Sequence, residues 1–157
     1  MSHQLLSQLK RATISTFEDL GFVLPAPEVD ARQASLPLVW SATVGFRGPV
    51  SGQLEVRFTD EVAEALAANM LGTDADIDGT VKGDVVSEIA NVVCGNVVPA
   101  LGSSRDVFDL DAPRLSAGST EDADAEWSVA RLELGVEDGR VEVELFVHAG
   151  GLVEGGA

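Results

Sequence analysis

Two pairs of alternating segments constrain the fold of this 157-residue chain most strongly. From Leu36 to Arg47 the apolar residues fall at every second position, and the alternation returns after the turn GPVSG, residues 48–52. Further along, WSVARLELGV and RVEVELFVHA flank EDGR, whose Asp138-Gly139 pair suits a tight hairpin turn of the primed type. Because successive side chains of a strand point to opposite faces of a sheet, these segments predict two β-hairpins, each with one buried face.

Three other segments have the periodicity of amphipathic helices. The predicted helices are residues 4–20, ending at Gly21; residues 60–71, capped by Thr59 or Asp60 and ended by Gly72; and residues 83–98, ended by Pro99 or Gly102.

The order of these elements is helix, two strands, two helices and then three strand-like pieces, which is not the alternation of a doubly wound sheet. It predicts an α/β fold of the α+β kind, a layered sandwich in which a largely antiparallel sheet has its helices packed on one face. A chain of this length buries roughly two thirds of its unfolded surface in a single core. We therefore expect one domain, residues 1–150, and a flexible tail, residues 151–157.

Composition excludes some classes of partner. The formal net charge of −16 disfavours nucleic acid and anionic membranes, which carry the same sign, so a partner is expected to present positive charge. Cys94 is the only cysteine, which excludes an intrachain disulfide and favours a reducing cytoplasm; inside an apolar helix it is expected to be a core residue rather than a nucleophile. No window approaches the ~20 apolar residues of a membrane span, which favours a soluble, cytoplasmic protein.

Metal motifs are incomplete. DADIDG, residues 74–79, copies the first half of a calcium loop, but its twelfth position is Val85 instead of a bidentate acid. An acidic, solvated loop is the favoured interpretation. The two histidines, His3 and His148, lie too far apart in sequence to indicate a metal cluster. We therefore predict no metal bound by this chain.

The helical stretch SEIANVVCGNVVPAL, residues 87–101, contains an acid and an amide three positions apart. On a helical wheel at about 100° per residue, its valine and isoleucine side chains occupy one broad side, while Asp84, Glu88, Asn91 and Gly95 form a narrow stripe opposite. Gly95 costs about 1 kcal/mol of helix stability relative to Ala, but it lets another surface approach closely. From spacing alone an ordinary polar helix face is the favoured interpretation, since such pairs are common on helix surfaces.

The helix EIANVVCGNVVPAL resembles the signature helix of the CheC/CheX-like phosphatases, whose pattern is an E-x-x-N pair followed closely by Gly-Asn, and the CheX branch in particular. The similarity extends in the family's order through GFRGPVSGQLEVRF, FTDEVAEALAANMLG, FDLDAPRLSAG and the C-terminal hairpin, or about residues 36–148. CheC-type proteins usually carry a second E-x-x-N on the first helix. Here Glu18 is followed three places later by Gly21, which implies one site per chain.

This resemblance implies a phosphatase that hydrolyses the phosphoaspartate of a phosphorylated CheY-type response regulator. Asn91 is then expected to orient the attacking water, and Glu88 to pair with a lysine of the regulator. Asp84 adds attraction to the same lysine, and Gly95 admits the partner. The chain itself needs no cofactor, because the regulator supplies Mg²⁺ and the phosphorylated aspartate. The resemblance also implies a homodimer that associates through sheet edges.

Two other functions stay open at this point. One is a non-catalytic CheX-like module that binds receiver domains without hydrolysis. The other is a structural or ligand-binding α/β domain whose polar stripe is incidental.

Overall fold

The computed structural model describes residues 2–72, 77–117 and 126–148. In chain order its elements are α1 (Ser2–Asp19), α2 (Ala31–Ser35), β1 (Leu38–Arg47), β2 (Gly52–Thr59), α3 (Asp60–Leu71), α4 (Gly79–Val97), a 3₁₀ turn (Val98–Leu101), β3 (Asp109–Leu110), β4 (Arg114–Ala117), β5 (Glu126–Val136) and β6 (Gly139–His148).

In this part of the chain the strands form one antiparallel sheet in the order β3-β1-β2-β6-β5, and β4 also pairs with the outer side of β1. Helices α1, α3 and α4 pack on one face of the sheet. The predicted fold, a largely antiparallel sheet with helices on one face, is confirmed. The predicted division into a domain and a tail stays a prediction, because residues 151–157 lie outside the described residues.

The helix-covered face contains the hydrophobic core. Alternate residues of β1 and β2 point into it, and Val44, Leu54, Val56 and Phe58 have no exposed surface. The ring of Phe17 from α1 lies 6.3 Å from that of Phe58, centroid to centroid. Burial of each such side chain contributes about 1.5–3 kcal/mol, so the alternation seen in the sequence is the main determinant of the sheet's orientation.

The other face, called the open face below, carries a network of buried charges. Arg57 donates hydrogen bonds to Glu55 at 2.8 Å, Glu142 at 3.1 Å and Glu144 at 3.0 Å, and Ser41 donates to Glu55 at 2.6 Å. Burial by itself lowers the pKa of the Arg57 guanidinium, but the hydrogen bonds and the charge of these carboxylates outweigh burial and raise that pKa above its ordinary value. Arg57 therefore stays charged and holds the three acids together.

Helix α4 begins at Gly79, earlier than the predicted start near residue 83. The reason is a cap: the side chain of Asp78 accepts a hydrogen bond from the Val81 backbone N–H at 3.0 Å. One acid of the predicted acidic loop is thus a helix cap. The loop's other acids, Asp74 and Asp76, lie outside the described residues.

The predicted C-terminal hairpin is present, but its turn is shifted by one residue. Val136 pairs with Gly139, so Glu137 and Asp138 form the loop, and Glu137 has a positive φ of 51°. Gly139 is the first residue of β6. A Cβ at Gly139 would collide with Oγ1 of Thr59, so close packing accounts for this glycine rather than turn geometry.

Two short elements were not predicted. Helix α2 depends on a capping box in which Asp30 and Gln33 each accept a backbone hydrogen bond from the other. Strand β4 follows Pro113 and overlaps the polar segment 116–126, for which the sequence predicts a turn and a loop, and it is stabilised by pairing with β1. Residues 118–125 of that predicted loop lie outside the described residues.

We expect Arg57→Leu to lower the free energy of unfolding by about 3 kcal/mol, because it removes the guanidinium that donates hydrogen bonds to three largely buried carboxylates. Arg131→Leu is the matched control. Its side chain is 57% exposed and pairs with Glu142 only at the edge of the network, so the expected loss is at most about 1 kcal/mol. Urea denaturation of both variants measures the difference, and equal losses would contradict the role given to Arg57.

Candidate functional site

Helix α4 is oriented by its apolar side. Val86, Ile89, Val93 and Val97 have no exposed surface and pack among β1, β2, α1 and α3. This arrangement confirms the apolar side predicted from the helical wheel, except that Val92 is only half-buried. Rotation of the helix would expose these side chains, so the direction of its polar side is set by the core.

The predicted stripe lies opposite that core. Asp84, Glu88 and Gly95 are exposed and Asn91 is half-buried, so the structure brings all four together on one face of α4. Asn96, which the wheel placed at the apolar border, is exposed as well. Within the described residues, neither Glu88 nor Asn91 has a side-chain hydrogen bond or ion pair. Both polar groups are therefore available to an approaching molecule.

A polar cluster anchors the first turns of α4. Lys82 contacts both carboxylate oxygens of Asp60 at 3.1 Å, and the indole N–H of Trp40 donates to Asp60 at 2.9 Å. The Trp40 hydrogen bond and then Lys82 lower the pKa of Asp60 despite the opposing effect of burial. Sequence reasoning missed this cluster, because its three residues come from β1, α3 and α4 and share no local motif.

Two leucines from the neighbouring strands lie against α4. A Cβ at Gly83 would come within 2.9 Å of Cδ1 of Leu115 in β4, whereas a Cβ at Gly95 would meet only Cδ2 of Leu110 in β3, at 4.0 Å. Gly83 thus makes room for a residue of the same chain. Gly95 leaves open space above the helix, as the sequence predicted.

The thiol of Cys94 faces the core and is fully buried. Burial raises its pKa to about 12, so the thiol is protonated at neutral pH. This agrees with a core residue and argues against a nucleophile. In the portion of the chain that the structure describes, no three His, Cys, Asp or Glu side chains are grouped closely enough to hold a metal ion.

The stripe lies on a convex helix surface. A pocket of about 640 Å³ lies elsewhere, between the start of α1, the 3₁₀ turn and the ends of β5 and β6, and no residue of the stripe lines it. Among the described residues, the side chains of the stripe lie on the surface of α4 and take no part in this pocket. The shape instead suits insertion of the helix into a concave surface of another molecule.

By length and mean hydropathy alone, Gly79–Leu101 is apolar enough to cross a membrane, with 23 residues and a mean hydropathy of 1.3. It is not the run of ~20 apolar residues that the sequence analysis considered, since it contains Lys82, Asp84 and Glu88. In the fold, 44% of the tested window is buried inside the protein, as expected for a core helix. Core helices meet the same criterion, so hydropathy alone does not distinguish a core helix from a membrane span.

A family model described as chemotaxis phosphatase CheX matches residues 40–136, which is more than half of the chain. This chain belongs to the CheX family. The matched region contains all but the first two residues of the first hairpin, and all of α3 and α4, including the stripe. The resemblance stated from the sequence is confirmed by this match. No curated protein sequence matches the chain significantly.

Solved structures share the CheX fold. A chemotaxis protein CheX from Desulfovibrio desulfuricans is 22% identical with a TM-score of 0.73, over 92% of this chain and 99% of its own. CheX from Vibrio vulnificus is 18% identical with a TM-score of 0.74, over 93% of this chain and 98% of its own. The CheX-CheY-BeF₃-Mg²⁺ complex from Borrelia burgdorferi matches with 20% identity and a TM-score of 0.62, over 90% of this chain and 96% of the matched chain.

Gly95, within the stripe, and Gly83, beside it, are expected to respond differently to an added methyl group. Gly95→Ala is expected to raise the free energy of unfolding by about 0.5–1 kcal/mol, since the helix gains propensity and the new Cβ meets only Leu110, at 4.0 Å. Gly83→Ala is expected to gain less or to lose stability, because Leu115 must move. Chemical denaturation of both variants checks this, and equal gains would show that Leu115 does not pack as described.

Proposed function

We propose that this protein hydrolyses the phosphoaspartate of a phosphorylated CheY-type response regulator by inserting the α4 stripe into the regulator's active site. The observation that carries the proposal is a pair of polar side chains unpaired within the described residues, exposed Glu88 and half-buried Asn91, on a helix whose opposite side is fixed by the core. Membership of the chemotaxis phosphatase family supports the reaction class. The complex of CheX with CheY from Borrelia burgdorferi supports the kind of partner.

Asn91 orients the attacking water in this proposal. An acyl phosphate is already reactive, so catalysis requires mainly a water molecule placed in line with the phosphorus. The side-chain amide accepts a hydrogen bond from that water through its oxygen and donates another through its nitrogen, and it does so without a change of charge. A neutral amide also adds no negative charge beside the phosphoryl group.

Glu88 anchors the helix by pairing with a lysine of the regulator. Residues three apart on a helix have Cβ atoms about 5–6 Å apart, so the lysine and the attacking water lie within one helical turn of each other. Asp84, one turn before Glu88, adds attraction to the same cation, and Gly95 lets the regulator's backbone approach. The regulator supplies Mg²⁺ and the phosphorylated aspartate, and this chain binds no cofactor. We place the reaction in the cytoplasm.

Asn91→Ala is expected to lower the rate of phosphate release from the bound regulator by about 10²–10³-fold, the usual loss for one positioned polar group, with little change in affinity. Glu88→Ala is expected to weaken binding about tenfold or more, because it leaves the partner's lysine unpaired. Glu18→Ala, at an exposed position on α1 where no second E-x-x-N is present, is the control and should behave like the wild type. Single-turnover phosphate release, measured over a panel of phosphorylated receivers, separates rate from affinity.

Full activity of Asn91→Ala would show that the water is oriented by another group. Tight receiver binding by the wild type without any acceleration would favour the non-catalytic interaction module. No effect of the stripe variants on binding or release would favour an incidental stripe.

We also propose a homodimer that pairs through the outer edge of β5. Among the described residues, only Ala26 pairs with that edge, by two hydrogen bonds with Gly135 of 2.7 and 2.9 Å. In the described part of the chain, no other segment pairs with the outer edge of this 11-residue strand, and Trp127 is 54% exposed. The opposite edge consists of short β3 and β4 beside the stripe, which is needed for the regulator.

Trp127→Lys is expected to convert the dimer to a monomer, because a lysine on an edge strand opposes strand pairing by charge and by lost apolar contact. Leu71→Lys, at an exposed position on α3, is the control. Light scattering after gel filtration gives the mass. A dimer unchanged by Trp127→Lys would place the interface elsewhere, and a monomeric wild type at ~100 µM would contradict the dimer.

A further inference from the structure

The geometry points to a specificity surface beside the stripe: Leu115 and Leu110, named here the apolar rim, contact the regulator next to Asn91 and select receivers that present an apolar patch there. This inference rests on the proposed function and adds a recognition element that lies outside the E-x-x-N helix.

The rim lies on the side of α4 where Asn91 points. Gly83 contacts Leu115 and Gly95 lies nearest Leu110, so the two leucines flank α4 along the β3–β4 side. At about 100° per residue, Asn91 lies about 80° around the helix from Gly83, whereas Glu88 lies about 140° away. Asn91 is half-buried whereas Glu88 is exposed, which agrees with this placement. Asn91 is therefore nearer than Glu88 to Leu115, while Leu110, beside Gly95, lies within about 40° of both residues around the helix.

The rim is close enough to be covered by any partner that reaches Asn91. At 1.5 Å per residue, Asn91 is about 12 Å from Gly83 and 6 Å from Gly95 along the helix. A specific interface covers about 800 Å² on each partner, which corresponds to a patch of roughly 16 Å radius. A receiver whose phosphoryl group meets Asn91 thus extends over both leucines.

The rim supplies apolar contact surface, which the stripe lacks. The stripe consists of two acids, an amide and a glycine, which give orientation but bury little apolar surface, whereas the central part of an interface is usually apolar. Leu115 is packed against Gly83 yet remains 46% exposed, and Leu110 is half-buried. The fitting partner has a cationic group on the Glu88 side of its phosphorylated aspartate and an apolar patch on the Asn91 side.

The position of Leu115 distinguishes it from other exposed leucines. It belongs to a four-residue edge strand that is held only by β1 among the described strands, and its side chain points to the face on which α4 lies. Leu24 is 78% exposed but lies near β5, through Ala26 and its bridge to Gly135. Four strand spacings, about 19 Å, separate that edge from β4.

The test uses the receiver that the wild type dephosphorylates fastest, activated with phosphate for rates and with beryllium fluoride for affinity. Leu115→Ala is expected to raise Kd and KM about five- to tenfold with kcat unchanged, since about half of a leucine side chain remains to be buried. Leu115→Glu is expected to raise both at least fiftyfold, and Leu115→Met, which conserves volume, to restore affinity to within about twofold. Leu24→Ala is the matched control, and thermal unfolding confirms that each variant is folded.

The outcomes separate the two proposals. The apolar rim would be overturned if Leu115→Ala and Leu115→Glu kept the wild-type Kd and KM while Asn91→Ala lost phosphate release. That result would leave the proposed function intact. A fall in kcat with unchanged KM would also overturn the rim, because it would assign Leu115 to the positioning of Asn91. A wild type that neither binds nor dephosphorylates any receiver in the panel would overturn the proposed function and, with it, the rim.

Discussion

The burial of one side of α4 against the sheet is the constraint on which the candidate site depends. Its valine and isoleucine side chains fill the core between β1, β2, α1 and α3. A shift of one residue in the helical register would move the stripe by about 100° and bury a carboxylate. Burial of that carboxylate would cost far more folding free energy than the exposed stripe contributes. The direction of Glu88 and Asn91 is thus fixed by residues that take no part in recognition.

Periodicity in the sequence was sufficient to predict the two hairpins, the three long helices and the stripe, since each depends on a pattern repeated over many residues. What could not be predicted depends on single contacts between distant segments. Helix α4 starts early because one aspartate caps it, and β4 exists because β1 offers a free side. Gly139 was expected in the turn of the last hairpin, but it lies in β6, where close packing against Thr59 leaves no room for a side chain. Local signals do not report such neighbours.

The residues of the candidate site were also predicted only in part. Helical geometry placed Asp84, Glu88, Asn91 and Gly95 on one face, and the structure agrees. Their roles came from the family resemblance and stay proposals. The contact between Leu115 and Gly83 could not be predicted from the sequence. A leucine in a short edge strand and a glycine early in a helix carry no local signal that they are neighbours. In the proposed function the partner supplies the phosphorylated aspartate and Mg²⁺, so the residues of this chain carry few catalytic signatures of their own.

The charge network on the open face has a consequence for how the protein responds to ionic strength. Exposed charges more than about 8 Å apart are largely screened at physiological salt, so the attraction between an acidic stripe and a cationic partner weakens as salt rises. Arg57 and its carboxylates are buried and screened much less. Added salt therefore slows the encounter with a partner long before it loosens this part of the fold. Ionic strength would thus change how fast the proposed partner is met, while the scaffold that presents the stripe stays the same.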